Sequence, residues 1–160
     1  MNAVMNRMEK MDFKKVFMMI ILAALVFAVL APLSAKSAHA ALANGTYSVD
    51  YKVLADGTEN TSRLDSYVVK PATVTVVNGV NTARLTITSS NLITAFKVEQ
   101  NGQLVDATVV STNTSANTRV VEFPVADLDS KVNAYAEIKI PVINYTGKYN
   151  VQLQFDTDSI

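Results

Sequence analysis

Tyr145 and Tyr149 stand four residues apart in Asn144-Tyr145-Thr146-Gly147-Lys148-Tyr149, at the head of a run in which Tyr149, Val151, Leu153 and Phe155 alternate with Asn150, Gln152 and Gln154. A period of two is that of a half-buried strand. If the strand extends back to Tyr145, both phenols share its apolar face. Two phenol oxygens opening onto one hydrophobic surface can exchange a hydrogen bond and, as phenolate, bind a hard metal ion. The same spacing equally describes tyrosines that serve as amphipathic strand packing, and on its own it leaves both readings open. Four strand residues span about 13 Å between Cα atoms. The hydroxyls therefore meet only if the rings lean together or the backbone bends, and Gly147 between them permits a bend.

The remaining composition narrows the chemistry. In the 160-residue chain, Arg7, Lys10, Lys14 and Lys15 precede an apolar run over 16–31, followed by Pro32 and a small-residue end, Ala38-His39-Ala40. A basic start, an apolar middle and an A-x-A site predict a secretory signal peptide over 1–40, leaving 41–160 as one domain with no stable membrane insertion after cleavage. All six Met and the sole His lie in that leader, and the chain has no Cys or Trp. The expected mature part thus lacks a Cys or His nucleophile system, a His general base and the usual zinc or copper ligands. A metal bound here must take oxygen. The mature part carries nine Lys and Arg against twelve Asp and Glu, so nothing electrostatic favours nucleic acid or an anionic membrane.

The elements that must position the two phenols read as strands. Over 45–54, Tyr47, Val49, Tyr51 and Val53 alternate with Thr46, Ser48, Asp50 and Lys52, ending at Asp56-Gly57. Ser62 with Asp65 three residues on resembles a capping box and predicts one short helical turn over 62–67, limited by Pro71. Strand patterns recur over 72–77, 82–88, 93–99, 103–111, 118–123 and 131–140, punctuated by Asn78-Gly79, Asn101-Gly102, Pro124 and Pro141. With the run that opens at the tyrosines, this predicts an all-β antiparallel sandwich of about eight strands.

Four places in order carry a family resemblance: Gly45-Thr46-Tyr47 with Val53-Leu54-Ala55-Asp56-Gly57, then Ser62 to Tyr67, then Asn117-Thr118-Arg119-Val120-Val121-Glu122-Phe123, and finally Ile140-Pro141 before Tyr145-x-x-x-Tyr149. Through them residues 45–156 resemble the near-iron transporter (NEAT) domain of Gram-positive haem-uptake proteins. The resemblance implies an immunoglobulin-like sandwich holding one haem b (ferric protoporphyrin IX) between the last hairpin and a short 3-10 helix, the lip. It implies Tyr145 as axial ligand to ferric iron and Tyr149 as hydrogen-bond donor to the Tyr145 oxygen. Ser62 and Tyr67 would hold a propionate, Arg63 and Leu64 would cover the distal face, and Ala136, Ile138 and Ile140 would offer an apolar wall. Phenolate is a known haem ligand, and without His, Met or Cys it is the only usual one left in the mature chain.

The function expected from the resemblance is that of a secreted haemophore passing haem to other NEAT-domain relay proteins. A non-haem adhesion module on the same sandwich is the competing reading, and a haemoglobin-binding module another. The lip, Ser-Arg-Leu-Asp-Ser-Tyr, has Tyr67 as its only aromatic, which argues against strong haemoglobin docking. An enzyme is not expected, because nothing supplies a proton-transfer and oxygen-activating site. The last residues, Asp158-Ser159-Ile160, carry no hydrophobic tail or sorting motif, so release to the exterior is expected in preference to wall anchoring.

Overall fold

Strand β1 (Gly45–Ala55) runs through the middle of the architecture and serves both of its sheets. Its first half pairs with β2 (Val68–Val77), ending at Val49 opposite Ala72, and its second half pairs with β9 (Tyr145–Asp156), starting at Asp50 opposite Asp156. The inward row is the one the alternation predicts: Val49, Tyr51 and Val53 are buried while Ser48, Asp50 and Lys52 are exposed. These facts come from a computed structural model, which describes residues 42–160. The expected leader over 1–40 lies outside the described residues.

Among the described residues, β3 (Val80–Thr88), β7 (Thr118–Val125) and β6 (Thr108–Asn113) extend the β2 side, all antiparallel. On the other side β9 is followed by β8 (Val132–Ile140), β4 (Ile93–Gln100) and β5 (Gln103–Asp106). The order β5-β4-β8-β9-β1-β2-β3-β7-β6 makes one all-antiparallel, nine-stranded system folded as a sandwich around Val49, Val74, Leu85, Val98 and Leu153. Phe96 and Phe123, one from each side, meet with ring centroids 6.3 Å apart.

Nine strands stand where eight were expected because the run 103–111 divides. β5 pairs with β4 and β6 pairs with β7, and between them the Ala107 N–H donates to the Phe96 carbonyl. Every residue of both strands is exposed, so no apolar period marks the crossing. The strand expected to stop at Pro124 continues to Val125. Glu122 is the last β7 residue opposite β6, so Pro124 lies beyond that partner, where a missing N–H costs little. Among the described residues, besides the expected 3-10 turn at Arg63–Tyr67, two more occur at Pro141–Ile143 and Thr157–Ser159.

Candidate functional site

The β8–β9 hairpin carries the two phenols. Its register is unbroken from Val132 opposite Leu153 to Ile140 opposite Tyr145, closed by the Pro141–Ile143 turn and by Asn144 in the left-handed conformation (φ 49°). Tyr145, Gly147 and Tyr149 face the interior side directly across from Ile140, Ile138 and Ala136. That face opens gradually. Ala136 and Ile138 are buried, Ile140 and Tyr149 are half-buried, and Tyr145 is 41% exposed. Beyond it Val142, 94% exposed, and Ile143 form an apolar tip.

The Tyr145 and Tyr149 hydroxyls meet at 2.7 Å. With the strand register intact, the rings lean together and the backbone does not bend. Gly147 supplies room instead of flexibility: a Cβ there would lie 2.6 Å from the Tyr145 oxygen and 2.7–2.8 Å from Tyr149 ring and hydroxyl atoms. The bond to Tyr145 is the main reason the Tyr149 pKa is raised above an ordinary phenol's; partial burial and the Tyr145 charge add to it, the Arg63 charge opposes it, and Tyr67 raises it further. Arg63 and Tyr67 thus lie near enough for their charges to bear on Tyr149 from the Arg63–Tyr67 turn.

That turn is delivered by a tight reversal after β1. Gly57 takes a positive φ of 66°, the Thr58 N–H donates to the Ala55 carbonyl, and Leu54 bridges to Thr61. Ser62 caps the turn, its hydroxyl oxygen accepting the Leu64 N–H at 3.2 Å. The capping box is only half formed. Asp65 does not return to the Ser62 N–H, which donates to the Val53 carbonyl at 2.7 Å; its Oδ1 instead accepts the Val53 N–H at 2.8 Å, and its carboxylate pairs with Lys70 at 2.6 Å.

Leu64 is 2% exposed and packs in the core; the exposed side of the turn belongs to Arg63, with Tyr67 half-buried beside it. Burying a leucine stabilises by about 2 kcal/mol, which pins the turn to the sandwich. Ala136 and Ile138 likewise form the closed floor of the hairpin's face, and only Ile140 of the three reaches its open end. The residues the structure brings together are Arg63 and Tyr67 with Tyr145 and Tyr149, above Ile140, with Ser62 at the root of the turn. Asp65 and Gly147, both in plain view in the sequence, are the positions whose part was missed. A glycine midway between two aromatics of one face was the available signal for the second.

Two hard phenol oxygens in contact, beside an apolar face and a guanidinium, fit a flat apolar ligand with a hard metal at its centre and acidic substituents at its rim. A family model described as the iron transport-associated domain, NEAT, matches residues 40–157. The chain is 42% identical over 125 residues to hemin/hemoglobin-binding protein 1 of Listeria monocytogenes and 38% identical over 122 residues to hemin/hemoglobin-binding protein 2 of the same species. These matches take in 77% and 74% of this chain but only 58% and 21% of the length of those relatives. Among solved structures it resembles the NEAT5 domain of IsdX2, a B. anthracis hemophore in complex with heme, with a TM-score of 0.72 and 45% identity over 74% of this chain and 100% of that one.

Proposed function

The chain belongs to the NEAT, iron transport-associated, family, and from that premise we propose that it is an exported haem carrier that captures ferric haem and passes it on without chemical turnover. The observation that carries the reading is the 2.7 Å contact between the Tyr145 and Tyr149 hydroxyls, with Tyr145 the outer and more exposed of the two.

Tyr145 is the axial ligand in this proposal. Bound haem supplies a ferric centre, for which a phenolate is a hard, matched anion. Tyr149 is the donor in this proposal and the Tyr145 oxygen the acceptor, an arrangement that would stabilise phenolate and temper its donor strength. Ile140 and the rings themselves keep water from the iron side. Ser62 accepts the Leu64 N–H through its oxygen, which leaves its hydroxyl proton for a propionate, with Tyr67 as a second donor. Arg63, exposed on the turn, would pair with a propionate or cover the ring. The relatives named for hemin and hemoglobin binding and the heme-bound NEAT5 domain support this reading. Other NEAT proteins as acceptors, haemoglobin as a donor and release after loss of the 1–40 leader belong to the same proposal.

Haemin titration of the wild type, Tyr145→Ala and Tyr149→Phe, followed by absorption spectra, tests it. Tyr145→Ala loses tight ferric binding and the phenolate-to-iron band. Tyr149→Phe keeps the ring and loses one hydrogen bond to a charged oxygen, about 1.5–3 kcal/mol or roughly ten- to a hundredfold in affinity. A Tyr145→Ala protein with the wild-type spectrum would refute the assignment.

A further inference from the structure

Resting on the proposed haem site, we infer that Asp65 is a positioning residue for that site: it fixes the lip turn to β1 through the Val53 main-chain N–H, and its charge is incidental. β1 changes partner midway along its length. Up to Val49 its edge is covered by β2; from Asp50 onward it pairs with β9 on one side only. On the other side the chain folds back and pairs briefly. The Ala55 N–H donates to the Asn60 carbonyl, Leu54 bridges Thr61, and the Ser62 N–H donates to the Val53 carbonyl.

At that point the returning chain turns into the 3-10 lip, and no main-chain carbonyl is left to receive the Val53 N–H. The Asp65 Oδ1 takes it at 2.8 Å. A side-chain oxygen therefore stands in for the next rung of a ladder, and Val53 holds the turn at its cap and at its middle, Ser62 through its carbonyl and Asp65 through its N–H. Val53 sits opposite Leu153 on β9, the strand that carries Tyr149. The route from the lip to the phenol pair is thus two hydrogen bonds and one regular strand pairing. Leu64 is buried between the two anchored residues, so the turn is pinned at Ser62, Leu64 and Asp65, which leaves Arg63 exposed and Tyr67 half-buried.

The carboxylate's other partner, the Lys70 ammonium, is partly exposed, and a partly exposed pair of this kind contributes little. The two contacts make different demands: the N–H needs only an acceptor oxygen at that place, whereas Lys70 needs a charge. Asn meets the first and not the second.

The test compares Asp65→Ala, Asp65→Asn and Asp65→Glu with the wild type. The readouts are amide exchange of Val53 in the haem-free protein, the rate of haem loss to apomyoglobin, and the absorption spectrum of the haem-loaded form. Asp65→Ala should speed Val53 exchange and haem loss by about tenfold each while keeping the phenolate–ferric spectrum, since Tyr145 is untouched. Asp65→Asn should stay within about twofold of wild type in both, its amide oxygen filling the acceptor place. Asp65→Glu keeps the charge but moves the acceptor by one methylene, so it should behave like the alanine variant, and it decides the matter should the alanine protein fail to fold. An asparagine variant as impaired as the alanine one, or an alanine or glutamate variant with unchanged haem loss, overturns the inference. If the wild-type protein binds no haem, the proposed function fails by itself, and the Val53 exchange pattern still decides whether Asp65 anchors the turn.

Discussion

The two ends of β9 put aromatic residues to opposite uses. At its C-terminal end Phe155 packs on Tyr51 with ring centroids 5.9 Å apart, and the Tyr51 hydroxyl donates to the Val69 carbonyl at 2.9 Å. Lys70 lies 5.7 Å above that ring, and Tyr51 is 2% exposed. At its N-terminal end Tyr145 and Tyr149 bond to each other near the surface. Both ends obey the same alternation, so the strand period assigns the face and says nothing of which phenol is available. Hydrogen-bond accounting does. The Tyr51 proton goes to a main-chain carbonyl, which fixes it in place, whereas the outer pair satisfy one another and keep an oxygen lone pair toward solvent.

Removing a single hydroxyl from each end gives the strongest test of this contrast. Tyr145→Phe should lose most ferric haem affinity, by at least about a hundredfold because the proposed metal bond goes with the oxygen, and leave the apo melting temperature nearly unchanged. Tyr51→Phe should cost about 1–2 kcal/mol of stability, measured by urea unfolding, because the Val69 carbonyl loses its buried partner; its haem spectrum should stay that of wild type. Haem loss in both variants, or stability loss in both, would erase the distinction.

Gly147→Ala sharpens it. The inserted Cβ meets the far ends of two tyrosine side chains, which can swing outward, and the φ of Gly147 is not in the left-handed region. Stability should therefore move by no more than about 1 kcal/mol in either direction. Separating the phenols should weaken haem binding roughly tenfold by loss of their hydrogen bond and shift the phenolate band. A variant that melts early with haem binding intact would mean that Gly147 matters to the strand and not to the site.

The smallest expected effect concerns alkaline pH. Burial, and secondarily the Asp65 charge, push the Tyr51 pKa well above that of a free phenol. In the unfolded chain this phenol ionises near pH 10, so above that pH the unfolded state sheds a proton that the folded state keeps. Its contribution to stability is complete below about pH 10 and is lost as pH rises from there toward the folded value. Urea midpoints across pH 9–11.5 should fall less steeply in Tyr51→Phe than in wild type. Phenol absorbance should show Tyr51 among the last of the six tyrosines to ionise, with Tyr149 also late because of its bond to Tyr145.

What the sequence made legible follows from which physical signals are local. Alternation placed Tyr47 to Val53 and Tyr149 to Phe155 on one face each, because burial of every second residue is written into the strand itself. The crossing at Ala107 was hidden because all of β5 and β6 is exposed and the turn is made by a single main-chain bond to Phe96. Ser62 was legible as a cap, but the box with Asp65 was not completed. Asp65 found a better-placed donor in Val53, twelve residues back, and only the folded reversal at Gly57 brings the two together. The burial of Leu64 was not legible, because a five-residue turn has no period from which to tell its sides. Gly147 read as a hinge because sequence records the absence of a Cβ without recording what fills its place.

The strand order has one further consequence. β5 and β6 occupy its two ends, yet they are consecutive in the chain, so both open edges of the sheet run along one seam within residues 103–113. Leu104, Val105, Val109 and Val110 are exposed along it, and Asp106, paired with Lys97 at 3.2 Å, places charge at its centre. Unsatisfied strand edges are where proteins zip together into aggregates, and charge at the edge is a common deterrent. Here the whole exposure is gathered into one short stretch, so a single acidic residue guards both margins. Asp106→Asn should therefore lower the solubility of the domain, read as earlier onset of light scattering on concentration.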